Sequence, residues 1–285
     1  MSGYAMTSPG ARTQLAAVIG DPVRHSLSPR LHNAAYGALH MDWVYVAFEV
    51  APGSVPAAVA GARVLGLRGL SVTTPHKQAA LTAADHASPL AQRLGAANTL
   101  VIDKDEVFAE STDGDGLVAD LRAAGYEPSG KVAAVIGAGG AARSAIVALG
   151  AAGASRVLVV NRSIDHAVRA AELAGPVGRA APAEAVADAA VILQATPVGL
   201  GGRGEGNELL AEVAAHLGAG QLVYDFVYHP PVTSFLAAAA NSGAAVRNGL
   251  GMLVHQAALQ FELFCGEPAP LAVMWAAVAA EAEGA

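Results

Sequence analysis

Short apolar runs alternate along the chain with longer amphipathic ones. "QLAAVIG" (14–20) is an apolar run closed by Gly20 and predicts a buried strand. Ser28 followed by Pro29 predicts a helix start, with the serine hydroxyl as cap and proline at the first helical position. "WVYVAFEV" then predicts a strand, "VPAAVAGARVLG" a helix and "GLSVT" a strand. "TLVID" and "VFAES" flank the charged turn "KDE" and predict a β-hairpin at the edge of a first domain. After Asp113, "GLVADLRAAG" predicts a helix, and beyond Pro128 the strand "KVAAVIG" begins. The alternation is regular from there: helix 141–152, strand "RVLVVN", helix 164–174, strand "AVILQAT", helix 208–217, strand "QLVYDFV". Strands and helices at this spacing form parallel βαβ units, so the chain is α/β and its second half a doubly wound sheet. Two helices, 250–264 and 271–281, have no further strand to cover and are expected to return to brace the first domain. The expected division is 1–112 with 250–285, and 113–249.

Composition narrows the function classes. The 285 residues are enough for two domains. A net charge of −7 argues against a nucleic-acid surface. Cys265 is the only cysteine, which excludes an intramolecular disulfide and a cysteine-based metal cage. "LAVMWAAVAA" is too short to span a bilayer, and "MSGYAMTSPGARTQ" has no signal-peptide core and reads as a loose tail. The expectation is a cytoplasmic protein with no membrane or nucleic-acid partner.

"KVAAVIGAGGAARSAIVALG" carries Gly137, Gly139 and Gly140, with Ala142 at the third small position. The first glycine allows the tight turn, and the second lets the backbone approach a pyrophosphate. The small third residue lets the helix pack close to the sheet. Read alone, this is also an ordinary strand–helix turn, but the flanking strand and helix are both legible and favour a dinucleotide. NAD sites place an acid about 20 positions on, to bind the ribose 2′-hydroxyl. This chain instead has Asn161, Arg162 and Ser163, and a guanidinium there can pair with a 2′-phosphate, so NADP is expected. Asp165 is read as a helix cap.

The first domain concentrates polar residues in "GDPVRHSLSPRLHN", "GLSVTTPHK", "GAANTL" and "STDGDG". Ser26 and Ser28 could hold a carboxylate together. Lys77 alone would pass for a snorkelling surface lysine, and Asn98 and Asp113 for turn formers.

In order and together, these clusters resemble the shikimate dehydrogenase family over nearly the whole chain. Its opening motif is met from Gly20 to Asn33, followed by "VTTPHK", "GAANT", "TDGDG", the G-A-G-G-A loop, N-R-S and "GLGMLVHQAALQFELFCG". The resemblance implies an N-terminal α/β substrate domain, a Rossmann-type NADP-binding domain, and C-terminal helices returning to the first. It implies reversible NADPH-dependent reduction of 3-dehydroshikimate to shikimate, in chorismate and aromatic amino acid biosynthesis, by a monomer or homodimer and without a metal.

By resemblance, Ser26 and Ser28 bind the carboxylate. Ser71, Thr73, Asn98, Asp113 and Gln256 meet the ring hydroxyls, and Tyr228 closes over the ring. Lys77 and Asp113 form the catalytic pair. The cofactor falls to Gly137, Ala138, Gly139, Gly140 and Ala141, to Asn161, Arg162 and Ser163, and to Phe226 and Gly249. Ser71, Ser111 and Gln194 stand where asparagine is usual in the family, and Thr74 where an apolar residue is frequent. These departures leave open quinate or an amino-substituted shikimate as substrate. A non-catalytic metabolite sensor of the same fold is the alternative from another class, against which Lys77 and Asp113 both weigh.

Overall fold

The computed structural model describes residues 8–279 except Arg203 and Glu205. Residues 1–7 of the expected loose tail and 280–281 of the last expected helix lie outside the described residues. The chain forms two compact units, one running through Thr112 and taking in Val254–Ala279, the other Asp113–Leu253.

The first unit contains β1 (Gln14–Gly20), α1 (Ser28–Ala38), β2 (Trp43–Glu49), α2 (Val55–Val64), β3 (Gly69–Val72) and α3 (Lys77–Ala83). It continues with β4 (His86–Ala87), α4 (Pro89–Leu94), β5 (Thr99–Asp103) and β6 (Glu106–Glu110). The sheet order is β2-β1-β3-β5-β6-β4. β1 runs parallel to β2 and β3, whereas β5 is antiparallel to β3 and β6. The expected hairpin forms as β5 and β6 and ends two residues before the boundary at Thr112, and the two-residue β4 pairs outside β6. β4, α3 and α4 are too short for hydrophobic periodicity to reveal them. Ala17, Ile19, Leu70, Val72 and Leu100 form the heart of this unit's core.

The second unit starts with α5 (Asp113–Ala123), β7 (Val132–Ile136), α6 (Gly140–Ala151), β8 (Arg156–Val160), α7 (Ile164–Ala171) and β9 (Gly178–Ala180). β10 (Val191–Gln194), α8 (Glu208–Ala214), β11 (Leu222–Asp225), α9 (Ser234–Asn241) and β12 (Ala245–Asn248) follow. The chain ends with α10 (Leu250–Cys265) and α11 (Leu271–Ala277). The sheet is parallel throughout, in the order β12-β11-β10-β7-β8-β9. That is the doubly wound order of dinucleotide-binding sheets, with β7 central and the crossovers diverging between β7 and β10. The α11 helix packs along α1 in the first unit. Among the described residues no helix is long and apolar enough to cross a membrane.

Several local expectations are corrected. Leu27, not Ser28, is the N-cap of α1; Ser28 is the first helical residue and no side chain caps the helix. Asp165 lies in the first turn of α7, and Ser163 is the cap, accepting from the His166 N–H at 3.4 Å. The helix expected over 164–174 gives way after Ala171 to a 3₁₀ segment, in which Gly175 has φ 63° ahead of Pro176. The segment 208–217 is α-helical only to Ala214. Edge strands β9 and β12 escaped the sequence pattern, because a half-exposed edge shows little of the apolar run that marks a buried parallel strand. Residues 250–253 group with the second unit, and the first takes up the chain again at Val254.

A buried ionic node holds α5 to the sheet and to the first turn of α10. The Asp120 side chain has no exposed surface and accepts from Arg247 at 2.5 and 2.9 Å and from the Tyr224 hydroxyl at 2.7 Å. The Met252 N–H in turn donates to the Tyr224 oxygen at 3.0 Å. Burial, and then the Asp120 charge, push the Tyr224 phenol well above its ordinary value, so it remains a donor. A Cβ on Gly251 would overlap the Asp120 carboxylate. Asp120 is the buried member of the pair, so removing Arg247 strands its charge, which costs about 3–5 kcal/mol. Arg247→Ala should therefore lower unfolding stability in urea by about that amount, and Tyr224→Phe by about 1.5–3 kcal/mol. A loss below about 1 kcal/mol for Arg247→Ala would show that the node is not a major support.

Candidate active site

In the first unit, sheet register gathers the polar motifs at one end. Ile19 pairs with Val72 and Ser71 with Thr99, so the loops after β1 and β3 and the residues entering β5 are neighbours. Gly20 is required there: a Cβ would overlap the Thr73 methyl, and the Asp21 N–H donates to the Thr74 carbonyl at 3.1 Å. Ser26 and Ser28 are adjacent, with the Ser28 N–H donating to Ser26 Oγ at 3.3 Å. Ser28 is buried, and its position after the cap leaves its hydroxyl without a capping role. Lys77 opens α3, and its carbonyl accepts from the Ala97 N–H at 2.9 Å, which sets its backbone beside that of Asn98. His76, the N-cap of α3, is held by its ring nitrogen at 2.6 Å from the Val50 carbonyl.

Asn98 is the hub of this cluster. Its Oδ1 accepts from the Thr112 N–H at 2.9 Å and the Thr99 hydroxyl at 2.8 Å. Its Nδ2 donates to Thr112 Oγ1 at 3.0 Å and to Gln256 Oε1 at 3.4 Å. Ser71, expected to meet a ring hydroxyl, accepts from the Tyr45 hydroxyl and donates to Gln260 Oε1, each at 2.6 Å. Ser111, the other serine in an asparagine position, is buried with its N–H on Glu110 Oε1 at 2.8 Å.

The second unit carries the glycine loop and its surroundings. Gly137 has φ 115° and donates to the Val160 carbonyl at 2.9 Å, so the turn leaving β7 needs glycine. Gly139 is the N-cap of the twelve-residue α6. A Cβ at Gly139 or Gly140 would meet no protein atom within 4 Å, so the protein's own packing does not demand glycine at either position. Exposed backbone with open space above it at a helix N-terminus fits a pyrophosphate. Ala138 and Ala141 are half-buried around it.

A cavity of about 310 Å³ adjoins the loop, lined by Gly139, Arg162, Thr196, Pro197, Asn207 and Leu209 among others. A second, of about 530 Å³, shares Asn161, Arg162, Asn207 and Leu209. Arg162 is exposed at both, and Asn161 Nδ2 donates to the Ser163 carbonyl at 3.0 Å, shaping that turn. Ser163 caps α7 as described, Phe226 follows β11 and packs edge-on to Tyr224, and a Cβ at Gly249 would overlap the Phe226 carbonyl. Tyr228 lies half-buried in the loop after β11, and Asp113 opens α5.

Gln194 organises the wall of the smaller cavity. Its Oε1 accepts from Thr196 N–H and Oγ1 at 2.6 and 2.7 Å, and its Nε2 donates to the Val198 carbonyl and Asp225 Oδ1 at 3.0 and 3.2 Å. Asp225 also accepts from the Val227 N–H at 2.9 Å and Thr233 Oγ1 at 2.6 Å.

Family models match three stretches of the chain: shikimate dehydrogenase substrate binding domain over residues 18–100, shikimate / quinate 5-dehydrogenase over 122–198, and shikimate 5′-dehydrogenase C-terminal domain over 249–279. The shikimate dehydrogenase (NADP(+)) of Moorella thermoacetica is 43% identical over 277 residues, covering 93% of this chain and 92% of that protein. The structure of shikimate 5-dehydrogenase from Thermus thermophilus in complex with NADP(H) and shikimate matches with TM-score 0.87 and 36% identity, covering 94% of this chain and 100% of that one. Quinate dehydrogenase from Corynebacterium glutamicum, in complex with NAD, matches with TM-score 0.83 and 26% identity over 94% and 99% of the two chains.

This chain belongs to the shikimate dehydrogenase family.

The family's motifs account for Asn98, Gln256 and Lys77, but residues behind them passed unnoticed in the sequence. Gln260 follows Gln256 by four positions on α10, a spacing that places both on one helix face, and that was the available signal. Thr99, the last residue of "GAANT", was hidden by its motif, and Tyr45 looks like an ordinary apolar strand residue.

Two predictions concern the second unit. Arg162→Ala should weaken NADP⁺ binding roughly ten- to hundredfold, measured by nucleotide fluorescence, and leave NAD⁺ nearly unchanged. Equal losses for both would remove Arg162 from 2′-phosphate recognition. Asp225 is pushed up to about 6 by burial, partly offset by Thr233, Val227 and Gln194. Its folded value exceeds the ordinary 3.8, so its stabilising contribution is complete below that value and is lost as pH rises through about 6. Asp225→Asn can keep the bonds to Val227 and Thr233, and should flatten the urea midpoint between about pH 4 and 7. An unchanged slope would assign the dependence to another group.

Proposed function

We propose that this protein is an NADP-dependent shikimate dehydrogenase, reversibly reducing 3-dehydroshikimate to shikimate. The observation that carries this reading is the convergence on Asn98 of the "VTTPHK", "GAANT" and "STDG" motifs with Gln256 of the closing helix. Ser26 and Ser28, adjacent and with Ser28 free of a capping role, are the proposed grip on the carboxylate. Thr73, Asn98, Asp113 and Gln256 are proposed to hold the ring hydroxyls, with Tyr228 over the ring. Gly137–Ala141, Asn161, Arg162 and Ser163 are proposed for the cofactor, together with Phe226 and Gly249. When bound, NADP(H) supplies the hydride acceptor or donor.

Lys77 handles the proton of the C3 hydroxyl, and the Asp113 carboxylate is its proposed partner. The Lys77 carbonyl binds the Ala97 N–H, next to Asn98 in sequence, and Asp113 follows in sequence Thr112, whose N–H is bonded to the Asn98 side chain. An ammonium held beside the developing alkoxide supplies a proton in reduction and recovers it in oxidation. The departures from the family pattern do not favour quinate or an amino-substituted ring: Ser71 and Gln194 both direct their polar atoms at the protein itself.

Absorbance of NADPH, with shikimate and quinate supplied side by side, tests the reading; quinate turnover exceeding shikimate would overturn it. Lys77→Ala should lower kcat by about 10²–10⁴ while shikimate still binds. Lys77→Arg should not rescue, because a guanidinium does not deprotonate. Turnover of Lys77→Ala within a few-fold of the unaltered protein would sink this mechanism.

A further inference from the structure

We infer that Thr99 and Gln260 are positioning residues, which fix the end of the Asn98 amide that meets the substrate ring. The inference rests on the proposed function only in taking Asn98 as a ring contact; the orientation itself follows from two backbone groups whose roles are unambiguous.

The main-chain carbonyl of Asn98 can only accept, so the Gln260 atom 3.1 Å from it is the donor Nε2. Gln260 Oε1 therefore faces Ser71 at 2.6 Å, and the Ser71 hydroxyl donates to it. With its proton so used, Ser71 accepts from the Tyr45 hydroxyl at 2.6 Å. The second Nε2 hydrogen goes to Thr99 Oγ1 at 3.0 Å, and the Thr99 hydroxyl is then turned to Asn98 Oδ1 at 2.8 Å. The order of donation is Tyr45, Ser71, Gln260, Thr99, Asn98.

From the other side, the Thr112 N–H can only donate, and it meets the same Asn98 Oδ1 at 2.9 Å. Both lines place the carbonyl end of the amide against Thr99 and Thr112, so Nδ2, which donates to Thr112 Oγ1 at 3.0 Å and to Gln256 Oε1 at 3.4 Å, is the end that a ligand oxygen meets, in exchange for the longer bond to Gln256. Ser71, Asn98, Thr99 and Gln260 are all buried, so bulk water cannot replace a missing member. Thr99 and Gln260 touch no substrate under this assignment. They act through Asn98.

Thr99→Val keeps the side-chain shape and removes the hydroxyl. In the full-length protein it should raise the KM for shikimate about three- to tenfold, the range for one neutral hydrogen bond, with kcat and the Kd for NADP⁺ within about twofold. Thr99→Ser, which retains the hydroxyl, should restore the KM. Gln260→Glu, whose carboxylate cannot donate to Thr99, should reproduce the KM rise and guards against a valine variant that folds poorly. A shikimate KM unmoved in both variants, or one that rises in step with the Kd for NADP⁺, would overturn the positioning role. So would a Thr99→Ser variant that fails to recover. Absence of shikimate turnover in the unaltered protein would overturn the functional reading along with it, which separates the two failures.

Discussion

A carboxylate with no exposed surface has to be paired, and the second unit is arranged around satisfying Asp120. Arg247 reaches it from β12, Tyr224 from β11, and α5 carries it. Because Tyr224 also receives the Met252 N–H, the same node settles where α10 begins. Gly251 is the sequence's concession to this crowding: a methyl there would occupy the space of the carboxylate oxygens. Charge, sheet edge and helix start thus meet in one interaction, and an edge strand with few apolar residues is tied to α5 by an ion pair as well as to β11 by its ladder.

Each unit places its chemistry where strands end. In the second, the glycine loop leaves central β7 at the point where the crossovers diverge, and Arg162 follows the adjacent strand β8. In the first, a parallel pair meets an antiparallel hairpin, so β3 finishes where β5 starts and Asn98 lies beside the strand that leads to Lys77. Motifs far apart in sequence become neighbours through strand register alone.

How much of this was legible depended on the range of the interaction. The parallel strands and the glycine loop could be read because each is local, a run of apolar residues and a turn with its helix. The helix start at "SLSP" was seen but its cap was misassigned, since Ser and Leu compete for a position that only the backbone settles. The motif around Ser71 marks it as a ring contact and says nothing of its bonds within the protein. The partners that turn it inward, Tyr45 and Gln260, lie 26 and 189 residues away and leave no local trace. Polar residues were recognisable as a set, but the direction each hydrogen bond takes emerges only when donors and acceptors are matched across the sheet.

The open space above Gly139 and Gly140 separates two kinds of glycine in one loop. Gly137 is bound by backbone conformation, and any chain with this turn would keep it whatever it bound. Its two successors face nothing of the protein's own, so the fold would tolerate a methyl group at either position. Selection for folding is blind to them. In a descendant released from nucleotide binding these two positions would be free to drift while the first stayed fixed, so the loop would record the lost ligand long before the sheet beneath it changed.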